Sequence, residues 1–158
     1  MNQSKLIREF IVGLLILLAQ VALFRHLTVF GVEPDLPFLF VIWIAAKYGK
    51  IQALLSAFAM GLSHDALVDL WGMHAFSSTL IVLLAHRPIA MLSKQALLQW
   101  QSFLLILLVT SAKNLVFLLL GGFIDAVSVH GIFFERLLVG ALYTAVIGSF
   151  LQPIGRSS

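Results

Sequence analysis

Apolar residues along this chain come in long blocks, with polar residues confined to the short stretches between them. Six such blocks stand out: Phe10 to Phe24 with an onset near Leu6, Leu36 to Ala46, Ile51 to about Leu70, Ala75 to Ala85 with an extension towards Leu92, Ala96 to Ile124, and Leu137 to Leu151. None alternates with the period of two that marks a half-buried strand, so each predicts a helix. A helix that crosses a bilayer needs about 20 apolar residues. The second and fourth blocks are short by that measure and call for tilt, snorkelling ends or a re-entrant path. Val32 to Pro34 extends the second block outward.

Composition turns a helical reading into a membrane reading. Of 158 residues, 61% are hydrophobic and 11% charged, against about 25% charged in an average soluble domain. The mean hydropathy is +1.04. The expectation is an all-α, polytopic bundle of about six transmembrane helices, forming a single integral membrane domain over residues 1–158. No connection exceeds about a dozen residues, which leaves no place for a soluble catalytic domain. The first apolar run continues past Ala19-Gln20-Val21-Ala22 into further spans, so it reads as an uncleaved helix rather than a leader. The chain has no cysteine, which excludes disulfides.

Charge orients the bundle. With the N-terminus in the cytoplasm and six alternating spans, Lys5, Arg8, Lys47, Lys50, Arg87, Lys94 and Arg156 fall inside, and only Arg25 and Arg136 fall outside. Basic residues in short loops set orientation, and acids count for little. Both termini are therefore expected in the cytoplasm. The net charge of +3 belongs to those loops and does not indicate nucleic acid.

Chemistry-bearing residues are few. There is no nucleotide-binding P-loop and no His-Glu-x-x-His zinc motif. His64, Asp65, Asp69 and His74 fit no metal-ligand spacing, and no nucleophile and base pair appears at helical spacing. No catalytic residue, metal or cofactor is expected. At 100° per residue, Gly61, Asp65, Asp69 and Gly72 share a stripe about 80° wide. Small residues mixed with acids mark a helix-contact face, not a lipid face. Asp65 lies 14 residues beyond Ile51, about 21 Å along its helix, and Lys113 lies 17 residues beyond Ala96, about 25 Å along its own. Their matched depths predict an intramembrane ion pair, with Asp69 or Asp125 as the fallback partner. Asn114 joins Lys113 as a polar contact candidate.

Three further features read as structural. Lys47-Tyr48-Gly49-Lys50 predicts a tight turn with Gly49 at positive φ. Arg87 anchors the cytoplasmic end of the fourth segment, and Pro88 suits the first turn of a new helix. Pro34 and Asp35 suit the start of the second helix. Trp43, Trp71 and Trp100 lie near segment ends, where indoles favour the interface.

Several of these residues also carry a family resemblance. Phe30-Gly31-Val32-Glu33-Pro34-Asp35-Leu36, after a first hydrophobic helix, resembles the Phe-Gly-Val-x-Pro-Asp-Leu entry of the rod shape-determining protein family MreD. Gly61-Leu62-Ser63, Asp65 and Gly72-Met73-His74-Ala75 resemble a variant of that family's third-helix motif. Arg87-Pro88 resembles the Arg-Pro pair after its fourth helix. Two departures stand out: Asp69 replaces a frequent glycine, and the proline common within the last helix is present only as Pro153.

The resemblance implies a fold similar to the substrate-binding subunits of vitamin uptake transporters. It implies a non-catalytic place in bacterial cell-wall elongation, in the cytoplasmic membrane. It also implies binding to a single-span MreC-like protein, in a wider complex with actin-like MreB and a wall polymerase and transpeptidase. Homo-oligomerisation is left open, and membrane lipid surrounds the bundle. The competing expectation is a vitamin-capture subunit, which requires a polar, aromatic outer pocket.

Overall fold

The computed structural model describes residues 3–23, 34–68, 72–94, 98–123 and 135–151. They form six helical segments. These are α1, Gln3–Leu23; α2, Leu36–Lys47; α3, Lys50–Val68; α4, Met73–Lys94; α5, Gln99–Phe123; and α6, Ala141–Leu151, entered through a π-helical stretch Glu135–Gly140. Gly31, Glu33, Asp69, Trp71, Asp125 and His130 lie outside the described residues.

The short second block forms the centre of the bundle. α2 packs against α1, α3, α4 and α6. Its residues from Pro37 to Ile42, with Ile44 and Ala45, are buried. A helix apolar on every side is stable only when enclosed, and α2 is apolar nearly throughout. Its 12 residues span about 18 Å, well short of a bilayer core of about 30 Å. Enclosure on its sides removes the need for greater length, because the flanks of α2 meet protein and not lipid. α3 and α4 pack side by side, α4 also meets α5, and α5 meets α6.

α3, α4 from Met73 to Leu92, and α5 from Gln99 to Gly122 are long and apolar enough to cross a membrane. Ile11–Gln20, Leu36–Lys47 and Leu138–Phe150 are shorter apolar helical stretches. Only 28–39% of each long stretch is buried in the bundle, so most of its apolar surface points outward. Ile51, Leu55, Phe58 and Leu62 on α3, and Leu104, Leu108, Leu115 and Leu119 on α5, are exposed. Continuous apolar belts of this kind are absent from soluble monomers and match lipid.

Close approach of backbones sets the spacing. A Cβ on Gly13 of α1 would lie 2.7 Å from the Phe40 ring and 2.9 Å from Met60 Sδ. One on Gly61 of α3 would lie 2.4 Å from Ala75 Cα on α4. Gly61 was singled out by its stripe. Gly13 was not, because the first helix lacks a repeated small-residue pattern.

Three local expectations are corrected. The fourth segment is not short: α4 runs for 22 residues through Pro88. Pro88 therefore starts no new helix. It removes one backbone donor, yet Val82, Ile89 and Leu92 are buried on both sides of it, and that packing carries the helix through. Gly49 does not adopt positive φ. Tyr48 caps α2 in an extended conformation, its N–H donating to the Ile44 carbonyl at 2.8 Å. The Gly49 carbonyl then accepts from Ala53 N–H at 3.1 Å, opening α3. The positive φ occurs instead at Gly72, at 79°. There the chain turns into α4, and the Gly72 carbonyl accepts from Phe76 N–H at 2.9 Å. Among the described residues nothing lies within 4 Å of a Cβ placed on Gly72. Its demand is conformational, not one of packing within this chain.

Candidate functional site

The bundle has a basic end and a polar end. The basic end carries the exposed Lys47, Lys50 and Arg87, with Lys47 Nζ 4.5 Å from the Trp43 ring centre. The polar end gathers where α2 and α4 begin and α3 finishes.

Asp35 organises that end from the N-cap of α2. Its Oδ1 accepts from Phe38 N–H at 3.1 Å, satisfying a first-turn amide that has no partner within the helix. Its Oδ2 is ion-paired with Lys113 Nζ from α5. Its own N–H donates to Thr144 Oγ1 of α6 at 2.9 Å. That hydroxyl in turn donates to the Gly140 carbonyl at 2.8 Å. The next amide, of Leu36, donates to Gln20 Oε1 of α1 at 2.9 Å. One helix start is thus tied to α1, α5 and α6. Gln20 and Thr144 were not anticipated. Their one signal in the sequence is a polar side chain at the inner face of an otherwise apolar run.

Lys113 and Asp65 are not paired, contrary to the expectation from their depths. Asp65, 3% exposed, spends both oxygens on the start of α4. Oδ1 accepts from His74 N–H at 3.0 Å and Oδ2 from Ala75 N–H at 2.9 Å. It is a cap supplied from the preceding helix, made reachable by the close contact of Gly61 with Ala75. Lys113, 2% exposed, turns to Asp35 instead. Its Nζ also lies 3.4 Å from His74 Nδ1 and 5.4 Å from the Phe38 ring centre. Of the fallback partners, Asp69 and Asp125 lie outside the described residues.

Aromatic stacking closes the cluster. The His64 and His74 rings lie 4.2 Å apart at 18°, and His74 and Phe117 lie 4.4 Å apart at 27°. His64 and His74 line a cleft of about 200 Å³, counting the space open at its mouth, with Asp35, Met60 and Lys113 among its walls. Pro34 is buried beside it, and Asn114 is half-buried on α5. Among the described residues no three His, Asp or Glu side chains converge as a metal site requires. Among the described residues the arrangement fastens all six helices with buried hydrogen bonds and one ion pair.

Asp65→Ala removes the acceptor of two first-turn amides in a buried place. The expected loss is about 2–3 kcal/mol, combining a lost cap with stranded donors. Asp65→Asn, which keeps one acceptor, should lose less. Thermal unfolding of the detergent-solubilised chain, compared across the three proteins, checks the order.

The family model described as rod shape-determining protein MreD matches residues 4–154. Comparisons with curated proteins and with solved structures return no significant match.

Proposed function

The chain belongs to the MreD family of rod shape-determining proteins, a membrane component of cell shape and wall elongation, and from that premise we infer that it acts as a non-catalytic scaffold that binds a single-span, MreC-like partner within the bacterial cytoplasmic membrane. The match over residues 4–154 carries this reading, since it covers every described helix. The architecture supports it. The polar groups gathered around Asp35 and Asp65 at the polar end are engaged in holding helices together, and the lipid-facing belts offer the surface a partner helix meets. Actin-like MreB and a wall polymerase and transpeptidase belong to the wider assembly.

Helix association in lipid depends on close packing and on polar contacts. Gly61 is occupied inside this chain, against Ala75, so it is not a partner contact. Gly72 and Asp69 remain candidates for one. The vitamin-capture alternative needs a pocket of roughly 300–1,000 Å³, whereas the polar cleft, apart from its open mouth, has room for about one water molecule. Affinity purification of the full chain from native membranes should recover the MreC-like partner. Recovery of the subunits of an uptake transporter in its place would reverse the assignment.

Both termini and the turn at Gly49 are proposed to face the cytoplasm, with the polar end outward. The chain has no cysteine, so single cysteines report position directly. An impermeant thiol reagent applied to intact cells should label Glu33→Cys and His130→Cys and leave Gly49→Cys unlabelled. Labelling of Gly49→Cys from outside would invert the topology.

A further inference from the structure

We propose that the basic end of the bundle binds the phosphate headgroup of an anionic membrane lipid, with Lys47, Lys50 and Arg87 as its charged contacts. Helix packing brings these residues to one level. Gly61 of α3 abuts Ala75 of α4, and the two helices run in opposite directions from there. Lys50, at the start of α3, therefore falls level with Arg87. Only Tyr48 and Gly49 separate Lys50 from Lys47 at the end of α2. Gly13 of α1 meets Phe40 of α2, and Gln20 meets Leu36. α1 is thus antiparallel to α2, and its Lys5 and Arg8 reach the same end. Lys94 closes α4 there.

The charge at this end is lopsided. Four helices bring these six basic residues to it, and Glu9 is the one acid that a helix carries there. The other acids stand in sequence at or beside the opposite helix ends. Lys47, Lys50 and Arg87 are exposed, and among the described residues no carboxylate pairs with them. Lys47 Nζ lies 4.5 Å from the Trp43 ring centre and 5.5 Å from that of Tyr48. The rings hold the ammonium in place without neutralising it. Clusters of about four to eight basic residues beside membrane-crossing helices attract anionic lipid. The apolar rim favours the same class of ligand. Ile51, next to Lys50, is 73% exposed, and Leu84, one turn from Arg87, is 70% exposed. Both lie on the membrane side of their basic neighbours. A ligand with its charge above and its alkyl chains below matches the charges and the rim together. An acidic protein segment would match the charges alone. The site is the same whichever leaflet holds this end.

The test is native mass spectrometry of the full chain released from nanodiscs of equal parts phosphatidylglycerol and phosphatidylcholine. The native protein is compared with the triple variant Lys47→Gln, Lys50→Gln, Arg87→Gln. Lipid retained on the native chain should be enriched in phosphatidylglycerol by at least about tenfold, since each basic residue at an anionic surface contributes about fivefold. The triple variant should retain the two lipids nearly equally. Equal retention by the native chain overturns the proposal, and so does an enrichment that survives in the triple variant. A second measurement covers failure of that variant to fold. The melting temperature of the native chain in neutral detergent should rise with added phosphatidylglycerol and stay level with phosphatidylcholine, inorganic phosphate or polyglutamate. No rise with phosphatidylglycerol, or an equal rise with phosphatidylcholine, overturns the proposal. An equal rise with phosphate or polyglutamate also overturns it, and assigns the site to a free anion or an acidic protein segment.

Discussion

Gly61→Ala should destabilise the bundle by at least about 3 kcal/mol, and Gly61→Leu should prevent its accumulation. The added Cβ meets backbone on three sides: Ala75 Cα at 2.4 Å, Ala75 N at 2.6 Å and the His74 carbonyl carbon at 2.8 Å. No rotamer relieves a clash with main-chain atoms, so α3 and α4 must separate. Separation also draws Asp65 away from the His74 and Ala75 amides that it caps, and both losses arise together. Thermal unfolding in detergent measures the first variant, and the quantity of folded chain in membranes measures the second. Gly72→Ala provides a contrast. Among the described residues it meets no atom, but it is strained by its φ of 79° and should cost only about 1–2 kcal/mol.

Lys113→Met should be nearly as damaging, at about 3–5 kcal/mol, because it leaves the Asp35 carboxylate in the bundle without its cation. Adding Asp35→Asn to that variant should restore much of the loss. Asparagine keeps the N-cap hydrogen bond to Phe38 N–H and removes the charge that was stranded. The signature is a double variant more stable than Lys113→Met alone. Strict additivity of the two changes would show that the residues are uncoupled. The same cycle run with Asp65→Asn should be close to additive, since Asp65 answers to backbone amides and not to Lys113.

These two sites show where a sequence is readable and where it is not. Apolar blocks locate α3, α5 and α6 to within a few residues, because lipid outside and core inside demand the same residue type. They shorten α4, because His86, Arg87 and Pro88 interrupt its apolar run although the helix continues through them. Rise per residue gives the depth of a charge and nothing about its lateral neighbours. Lys113 and Asp65 match in depth, yet the partner is Asp35, whose sequence context speaks only of a helix start. The stripe through Gly61 and Asp65 marks a contact face, and the partner face on α4 is visible only in three dimensions. Gln20, Thr144 and Gly13 gain their roles from other helices, from the next one for Gln20 and across a 109-residue separation for Asp35 and Thr144. The motif around Pro34 and Asp35 was legible as a resemblance. What Asp35 does physically was not.

Depletion of the protein in growing rod-shaped cells, followed by microscopy and a vitamin-uptake assay, tests the assignment most directly. The account predicts that cells widen and round up while septation and vitamin uptake continue, and that the native chain restores the rod where Gly61→Leu does not. Cells that keep their width and shape but lose uptake of one vitamin would contradict it.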